Sequence, residues 1–177
     1  TERICKNCRT LAQGLQLSPL FEDRISDSFI DAVEIAAPLC DIGNIAIPMD
    51  ILQKKNRLTE EELKIARQHT VIGAKLLGDI RTGSDYNDFM EHAIEIARCH
   101  HENWDGSGYP EGRIGEDIPL SARITSLVSV YCALTEKRSY RESHSKDEAL
   151  LMMKEDAGKK FDPDMFDIYC KIYRQLC

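Results

Sequence analysis

The sequence predicts an all-α fold, a helical bundle of about six or seven helices. Every long periodic segment repeats its apolar residues at helical spacing. Glycine and proline are scarce, at 10 and 6 of 177 residues, and aromatic residues make up only 7%, whereas a turn-rich β-sandwich or barrel typically contains more of both. A chain of this length corresponds to one domain, so we expect residues 1–177 to form a single unit.

Capping and breaker residues place the first helices in order. We expect a helix over residues 3–15, and Ser18-Pro19 offers the N-cap and first residue of the next helix. Pro38 lies inside the following apolar pattern, where it should kink or end the helix. The segment 41–48 that follows is expected to be an irregular loop.

The rest of the chain carries clearer start signals. Thr59 to Glu62 have the pattern of a capping box, which opens a helix that we expect to reach about Ile80. Further helix starts are predicted at Ser84, at residue 119, at a second capping box over Ser145 to Glu148, and at Asp162-Pro163.

Charge and hydropathy exclude several function classes. The net charge of −7 argues against DNA or RNA as a partner, because binding to a phosphate backbone needs an excess or dense patch of Lys and Arg. No apolar run approaches the roughly 18 residues of a membrane span, and the first residues lack the apolar stretch of a secretion signal. We therefore expect a cytoplasmic protein without membrane insertion.

The seven cysteines indicate reduced thiols. Their number is odd and they are scattered along the chain, which does not suit a disulfide framework. Cys5 and Cys8 form a CxxC motif, but no second pair follows to complete a zinc site. We interpret these two as thiols on successive turns of the first helix.

Four residues have side chains that suit a metal site. Asp41 ends an apolar helix, His69 interrupts a charged one, and His100 and His101 end a third. A carboxylate with several imidazoles suits iron, manganese or zinc. Sequence spacing alone does not bring these residues together. The alternative is that the histidines pack in the core or face solvent.

Five motifs along the chain resemble the ordered motifs of the HD-GYP family. The block around Gly108-Tyr109-Pro110 is long and specific, and the match covers almost the whole chain. The resemblance implies an all-helical HD-type domain, from a family that hydrolyses the bacterial second messenger cyclic di-GMP with clustered metal ions. The motifs are Cys40-Asp41-Ile42-Gly43, Arg67 to Ala74, His100 to Pro110, Ala133 to Arg141, and Phe161-Asp162-Pro163.

The same resemblance assigns roles to matching positions. Asp41 would be the metal-bridging aspartate, and His69, His100 and His101 would complete the second metal site. One divalent ion of iron, manganese or zinc is therefore the expected cofactor, and no other is expected.

The resemblance also implies where nucleotide and partners bind. Tyr109, Arg138 and Arg141 would contact the nucleotide, because Arg can fork onto a phosphate and Tyr can stack or donate a hydrogen bond. The loop Gly108-Tyr109-Pro110 would dock diguanylate-cyclase-type (GGDEF) domains or other signalling proteins.

Four positions depart from the family pattern. Cys40 stands where the family has the histidine of the HD pair, Asn44 where it has a lysine, and Ser129 and Cys132 where it has aspartates. The family's upstream Glu and His ligands would lie before Thr1, as would a sensor or receiver domain. A two-metal hydrolase needs both ions. We therefore expect a degenerate member with little or no hydrolysis, which senses cyclic di-GMP or docks another protein.

Two alternatives stay open at this stage. One is an active metal-dependent cyclic di-GMP phosphodiesterase with an altered site, in which Cys40 ligates as a thiolate. The other is a structural dimerisation module whose histidines pack or form hydrogen bonds within the core, so that the working unit is a homodimer.

Overall fold

A computed structural model describes residues 2–80, 88–137 and 143–177, and these ranges confirm the all-α prediction. They contain eight α-helices and no β-strand. The predicted caps at Ser84 and the predicted nucleotide contacts Arg138 and Arg141 lie outside the described residues. The helices are α1 (Glu2–Gln16), α2 (Asp27–Ala36), α3 (Met49–Leu52), α4 (Glu60–Ile80), α5 (Asp88–Cys99), α6 (Leu120–Thr135), α7 (Lys146–Lys154) and α8 (Pro163–Ile172).

The helix beyond the expected six or seven is α3. It is a single turn that begins directly after Pro48, and it lies in a stretch without apolar periodicity long enough to predict a helix. No helix in the described ranges is both long and apolar enough to cross a bilayer.

The predicted start of the second helix at Ser18-Pro19 is wrong. The Ser18 carbonyl accepts a hydrogen bond from the backbone N–H of Phe21 at 2.9 Å, which closes a turn instead. The helix α2 begins later, with Ser26 as the N-cap that accepts a backbone hydrogen bond through its side chain. Both serines are suitable caps by residue type, so only the surrounding packing distinguishes them.

Pro38 ends its helix as predicted. The helix α2 stops at Ala36, and Ala37–Leu39 continue as a 3-10 turn. The segment expected to be an irregular loop contains a five-residue 3-10 helix, Ile42–Ala46. The candidate ligand Asp41 therefore lies at the junction of two 3-10 segments, where the chain changes direction.

Two buried clusters support the bundle. The larger one joins α1, α2, α6, α7 and α8, and the smaller one joins the end of α2 to α4 and α5. The helix α6 is buried along most of its length, and its buried residues include the polar or charged Ser121, Arg123, Thr125 and Ser126. Both predicted capping boxes are present, at the starts of α4 and α7.

A buried ion pair connects three parts of the fold. Arg123 Nη1 lies 2.7 Å from Asp162 Oδ2, with side chains only 4% and 3% exposed. The Arg123 Nε donates to the Ile118 carbonyl at 3.0 Å, and its guanidinium lies over the Trp104 ring. The other carboxylate oxygen of Asp162 accepts backbone N–H groups in the first turn of α8. This one pair therefore fixes α6, α8 and the glycine-rich loop, residues 104–116, relative to one another.

We expect Asp162→Ala to lower the free energy of unfolding by about 3–5 kcal/mol, because it strands a buried guanidinium and removes the cap of α8. Urea unfolding followed by circular dichroism measures this change. Asp164→Ala in the same helix turn is the control, since Asp164 is exposed, and it should change stability by less than about 0.5 kcal/mol. Equal losses of unfolding free energy in the two variants would contradict the stabilising role of the Arg123–Asp162 ion pair.

Candidate metal centre

The structure brings the four predicted ligands together. One ligand atom from each residue lies within 4.8 Å of the ligand atoms of the other three. Within the described ranges this is the one group of three or more His, Cys, Asp or Glu with such spacing. The convergence that sequence spacing could not show is therefore present. The residues are Asp41, His69, His100 and His101.

Backbone carbonyls orient two of the imidazoles. His69 Nδ1 lies 2.7 Å from the Ala66 carbonyl oxygen, and His100 Nδ1 lies 2.9 Å from that of Ile96. A carbonyl only accepts hydrogen bonds, so each Nδ1 carries the proton and donates it. Each Nε2 then presents a lone pair to the cluster. This is the tautomer that a histidine needs to bind a metal through Nε2.

Both Nε2 atoms are buried, and neither has a hydrogen-bond partner among the described residues. The Asp41 Oδ1 lies 3.4 Å from His69 Nε2 and 3.7 Å from His100 Nε2. Buried polar atoms are normally paired, so two orphaned nitrogens facing one carboxylate are unusual. A divalent cation between them would bind all three atoms, and the donor set therefore fits a metal ion.

The protonation states also suit metal binding. The neighbouring His100 ring lowers the pKa of Asp41, although burial acts in the opposite direction. Burial, followed by the effects of His100 and His69, lowers the pKa of His101 to about 3. At neutral pH the cluster therefore combines an ionised carboxylate with a neutral imidazole, which are the forms that bind metals.

Gly43 explains how Asp41 comes so close to α4. A Cβ at this position would overlap the carbonyl oxygen of His69 and lie 2.6 Å from the backbone nitrogen of Gly73. Only glycine therefore permits this approach of backbone to backbone. The contact of Gly43 with the backbone of α4 therefore holds the carboxylate of Asp41, two residues earlier, beside that helix.

The glycine-rich loop closes the other side of the centre. A Cβ on Gly108 would lie 2.5 Å from the carbonyl oxygen of His101, and the Tyr109 N–H donates to that oxygen at 3.1 Å. The Tyr109 ring stacks on the His101 ring, with centroids 4.8 Å apart and planes 18° apart. Tyr109 is thus a wall of the metal centre, and burial raises the pKa of its phenol to about 12. Its predicted contact with nucleotide stays a prediction.

Sequence reasoning missed Glu102, which stabilises this loop. Its side chain is buried, and its two carboxylate oxygens accept the backbone N–H groups of Glu111 and Arg113 at 2.8 and 3.0 Å. A charged residue directly after two candidate ligands was the available signal, since a buried carboxylate needs partners. Glu102 thereby connects the end of α5 to the far side of the loop.

Three of the four substituted positions line one cavity beside the centre. A cavity of about 370 Å³ is lined by Cys40, Ser129 and Cys132, and also by Asp41. The Ser129 hydroxyl donates to the carbonyl of Ser126 in its own helix at 2.9 Å. Burial, and secondarily Asp41, raises the pKa of Cys40 to about 12.

The fourth substituted position, Asn44, does not line that cavity. Its backbone N–H donates to the Asp41 carbonyl at 3.0 Å within the 3-10 segment. Cys132 accepts a hydrogen bond from the side chain of Asn7 at 3.3 Å. Three of the four substituted positions, Cys40, Ser129 and Cys132, therefore give the cavity two thiols and a hydroxyl where the resemblance implies histidine or aspartate.

A comparison with known families places the chain. Residues 2–165 match the family model described as HD domain. The chain belongs to the HD domain family. This HD domain is 41% identical over 162 residues to a Vibrio cholerae protein named probable cyclic di-GMP phosphodiesterase. It is 41% identical over 152 residues to the cyclic di-GMP phosphodiesterase response regulator RpfG of Xanthomonas campestris pv. campestris. The resemblance to the HD-GYP family is therefore confirmed.

The alignments cover 91% and 86% of this chain but only 37% and 39% of the length of these two relatives. Its fold is similar to that of a solved structure described as a HDG"Y"P protein from Bdellovibrio bacteriovorus, with a TM-score of 0.68 and 20% identity. That similarity covers 98% of the HD domain and 51% of the solved chain.

We expect Gly43→Ala to destabilise the protein by about 1–3 kcal/mol and to weaken metal binding, because the added methyl forces Asp41 away from α4. Urea unfolding and Mn²⁺ titration measure the two effects. Gly78→Ala in α4 is the matched control. It meets no atom within 4 Å, so it should leave metal affinity unchanged and stabilise the helix by about 0.5–1 kcal/mol. Unchanged metal affinity in Gly43→Ala would exclude this role for the glycine.

Proposed function

We propose that this HD domain acts in bacterial cyclic di-GMP signalling, binds the nucleotide at a single divalent metal ion, and hydrolyses it slowly or not at all. The proposal is supported chiefly by one observation: a four-residue cluster with two orphaned imidazole nitrogens lies beside a cavity whose lining includes two thiols and a hydroxyl at substituted family positions. The names of the relatives support cyclic di-GMP as the ligand.

Asp41, His69, His100 and His101 would hold the ion. When bound, iron, manganese or zinc supplies positive charge to a phosphate oxygen and lowers the pKa of a bound water. The protein's own contribution is orientation. The backbone carbonyls aim two imidazoles inward, and the side chain of Asp41, 59% exposed against 8% and 2% for His69 and His100, leaves the centre open to solvent on its side.

The residues that line the neighbouring cavity support the proposal of weak hydrolysis. In-line displacement with two metals needs a second ion about 3.5–4 Å from the first, held by its own carboxylates and imidazoles. At the adjoining positions the cavity offers Cys40, Ser129 and Cys132, and Glu136 also lines it. The described residues contain no second close group of three or more potential metal ligands. A single ion can bind a phosphate without supplying both the nucleophile and the stabilisation of the leaving group.

A role in protein docking is part of the same proposal. Gly108 packs against the backbone of the loop, whereas Tyr109 and Pro110 line an outward-facing cavity. Signalling partners such as GGDEF-type domains would meet the loop through these two side chains. A domain that binds nucleotide without consuming it would suit such a partner-dependent role.

We expect Mn²⁺ to raise the melting temperature of the purified protein. An ion that binds only the folded state adds about 2.7 kcal/mol to the free energy of unfolding when its free concentration is 100 times the dissociation constant. Mn²⁺ is preferred to Zn²⁺ because it binds nitrogen and oxygen rather than cysteine sulfur. His100→Ala should abolish the shift, whereas His144→Ala, a histidine outside the cluster, should retain it. A shift that survives His100→Ala would place the ion elsewhere.

We expect little or no product when full-length protein loaded with Fe²⁺, Mn²⁺ or Zn²⁺ is incubated with cyclic di-GMP and analysed by chromatography. Calorimetry with the same metal-loaded protein should still show nucleotide binding that His100→Ala weakens. Metal-dependent turnover that is lost in His100→Ala would identify an active phosphodiesterase. Absence of both binding and turnover would favour a structural dimerisation module.

A further inference from the structure

A second cleft lies on the other side of Tyr109. It has a volume of about 230 Å³ and is bounded by one face of α4 and by the glycine-rich loop. It does not include the four metal ligands. The residues that line it are Lys64, Arg67, Gln68, Val71, Tyr109 and Pro110.

Two cations define the chemistry of this cleft. Lys64 and Arg67 are three residues apart on α4, so their side chains are neighbours on the helix surface. Both are exposed, and neither forms an ion pair with a carboxylate in the described ranges. Some other cations of this acidic protein are neutralised, as Arg98 and Arg113 are by Glu111. The cleft therefore presents positive charge that is available to an anion.

Aromatic stacking holds one of the cations in place. The guanidinium carbon of Arg67 lies 4.9 Å from the centroid of the Tyr109 ring. A stacked guanidinium keeps its N–H groups free at the edge, where they can donate to phosphate oxygens. Because Tyr109 also stacks on His101, a single ring separates Arg67 from the metal centre. An anion in this cleft would therefore lie close to any ligand of the metal.

We infer that Lys64 and Arg67 bind a phosphate group of the nucleotide, the phosphate that is not held at the metal centre. The inference rests on the proposed function. A cyclic dinucleotide carries two phosphodiester groups in one small ring, so a ligand held by the metal through one of them has a second anionic group to place. The cleft across Tyr109 supplies two cations within reach of the centre, and a charge-assisted contact to phosphate is the interaction that they make best.

The test measures the affinity of Mn²⁺-loaded protein for cyclic di-GMP at low ionic strength, where surface charges are least screened. Arg67→Gln and Lys64→Gln should each weaken binding by about three- to tenfold, and the double variant more. The matched control is Lys75→Gln, which removes one exposed charge from α4 outside the cleft. Affinity for Mn²⁺ should stay unchanged in all variants, because none of these residues is a ligand.

Two results would overturn the inference: a double variant that binds cyclic di-GMP as tightly as the unmodified protein, or an equal loss in Lys75→Gln. If the unmodified protein binds Mn²⁺ but no cyclic di-GMP, the nucleotide part of the proposed function fails instead. Titration with pyrophosphate then decides about the cleft separately. Pyrophosphate binding that is lost in the double variant supports a phosphate site, and no pyrophosphate binding rejects it.

Discussion

The close contact between Gly43 and α4 is the constraint on which the metal centre depends. Without a side chain at this position, the 3-10 segment lies directly on the backbone of His69 and Gly73, which brings Asp41 within reach of two imidazoles. A second glycine, Gly108, permits the corresponding approach on the opposite side, where the loop folds back onto His101. The ligands are thus assembled by two backbone contacts that tolerate no Cβ, rather than by contacts between the ligands themselves.

The sequence predicted local features best, because these depend on a few neighbouring residues. The two capping boxes and the helix end before Pro38 are recognisable from residue type and spacing alone, and the structure contains them. The predicted start of the second helix was wrong because Ser18 and Ser26 are equally suitable N-caps by residue type, and the structure uses Ser26. In the structure the Ser18 carbonyl closes a turn, whereas the Ser26 side chain caps α2, and residue type alone does not record that difference.

For the site, the sequence predicted the four ligand residues but not their arrangement. The tautomers of His69 and His100 depend on the carbonyls of Ala66 and Ile96, and these hydrogen bonds exist only once each ring is folded back along its own helix. Glu102 was missed because its two partners lie across a loop whose path is set by Gly108 and by tertiary contacts.

The arrangement also distinguishes the four clustered residues from the adjoining cavity on which the proposed loss of hydrolysis rests. Two buried Nε2 atoms without partners cost free energy in the metal-free protein, so an ion that pairs them with the carboxylate of Asp41 stabilises the fold as well as the site. That benefit depends only on the four clustered ligands. It does not depend on the adjoining cavity, which Cys40 and Ser129 line and where the resemblance to the HD-GYP family implies ligands of a second ion. Under the proposed function, a single ion at these four residues would therefore stabilise the fold without a second ion in the cavity.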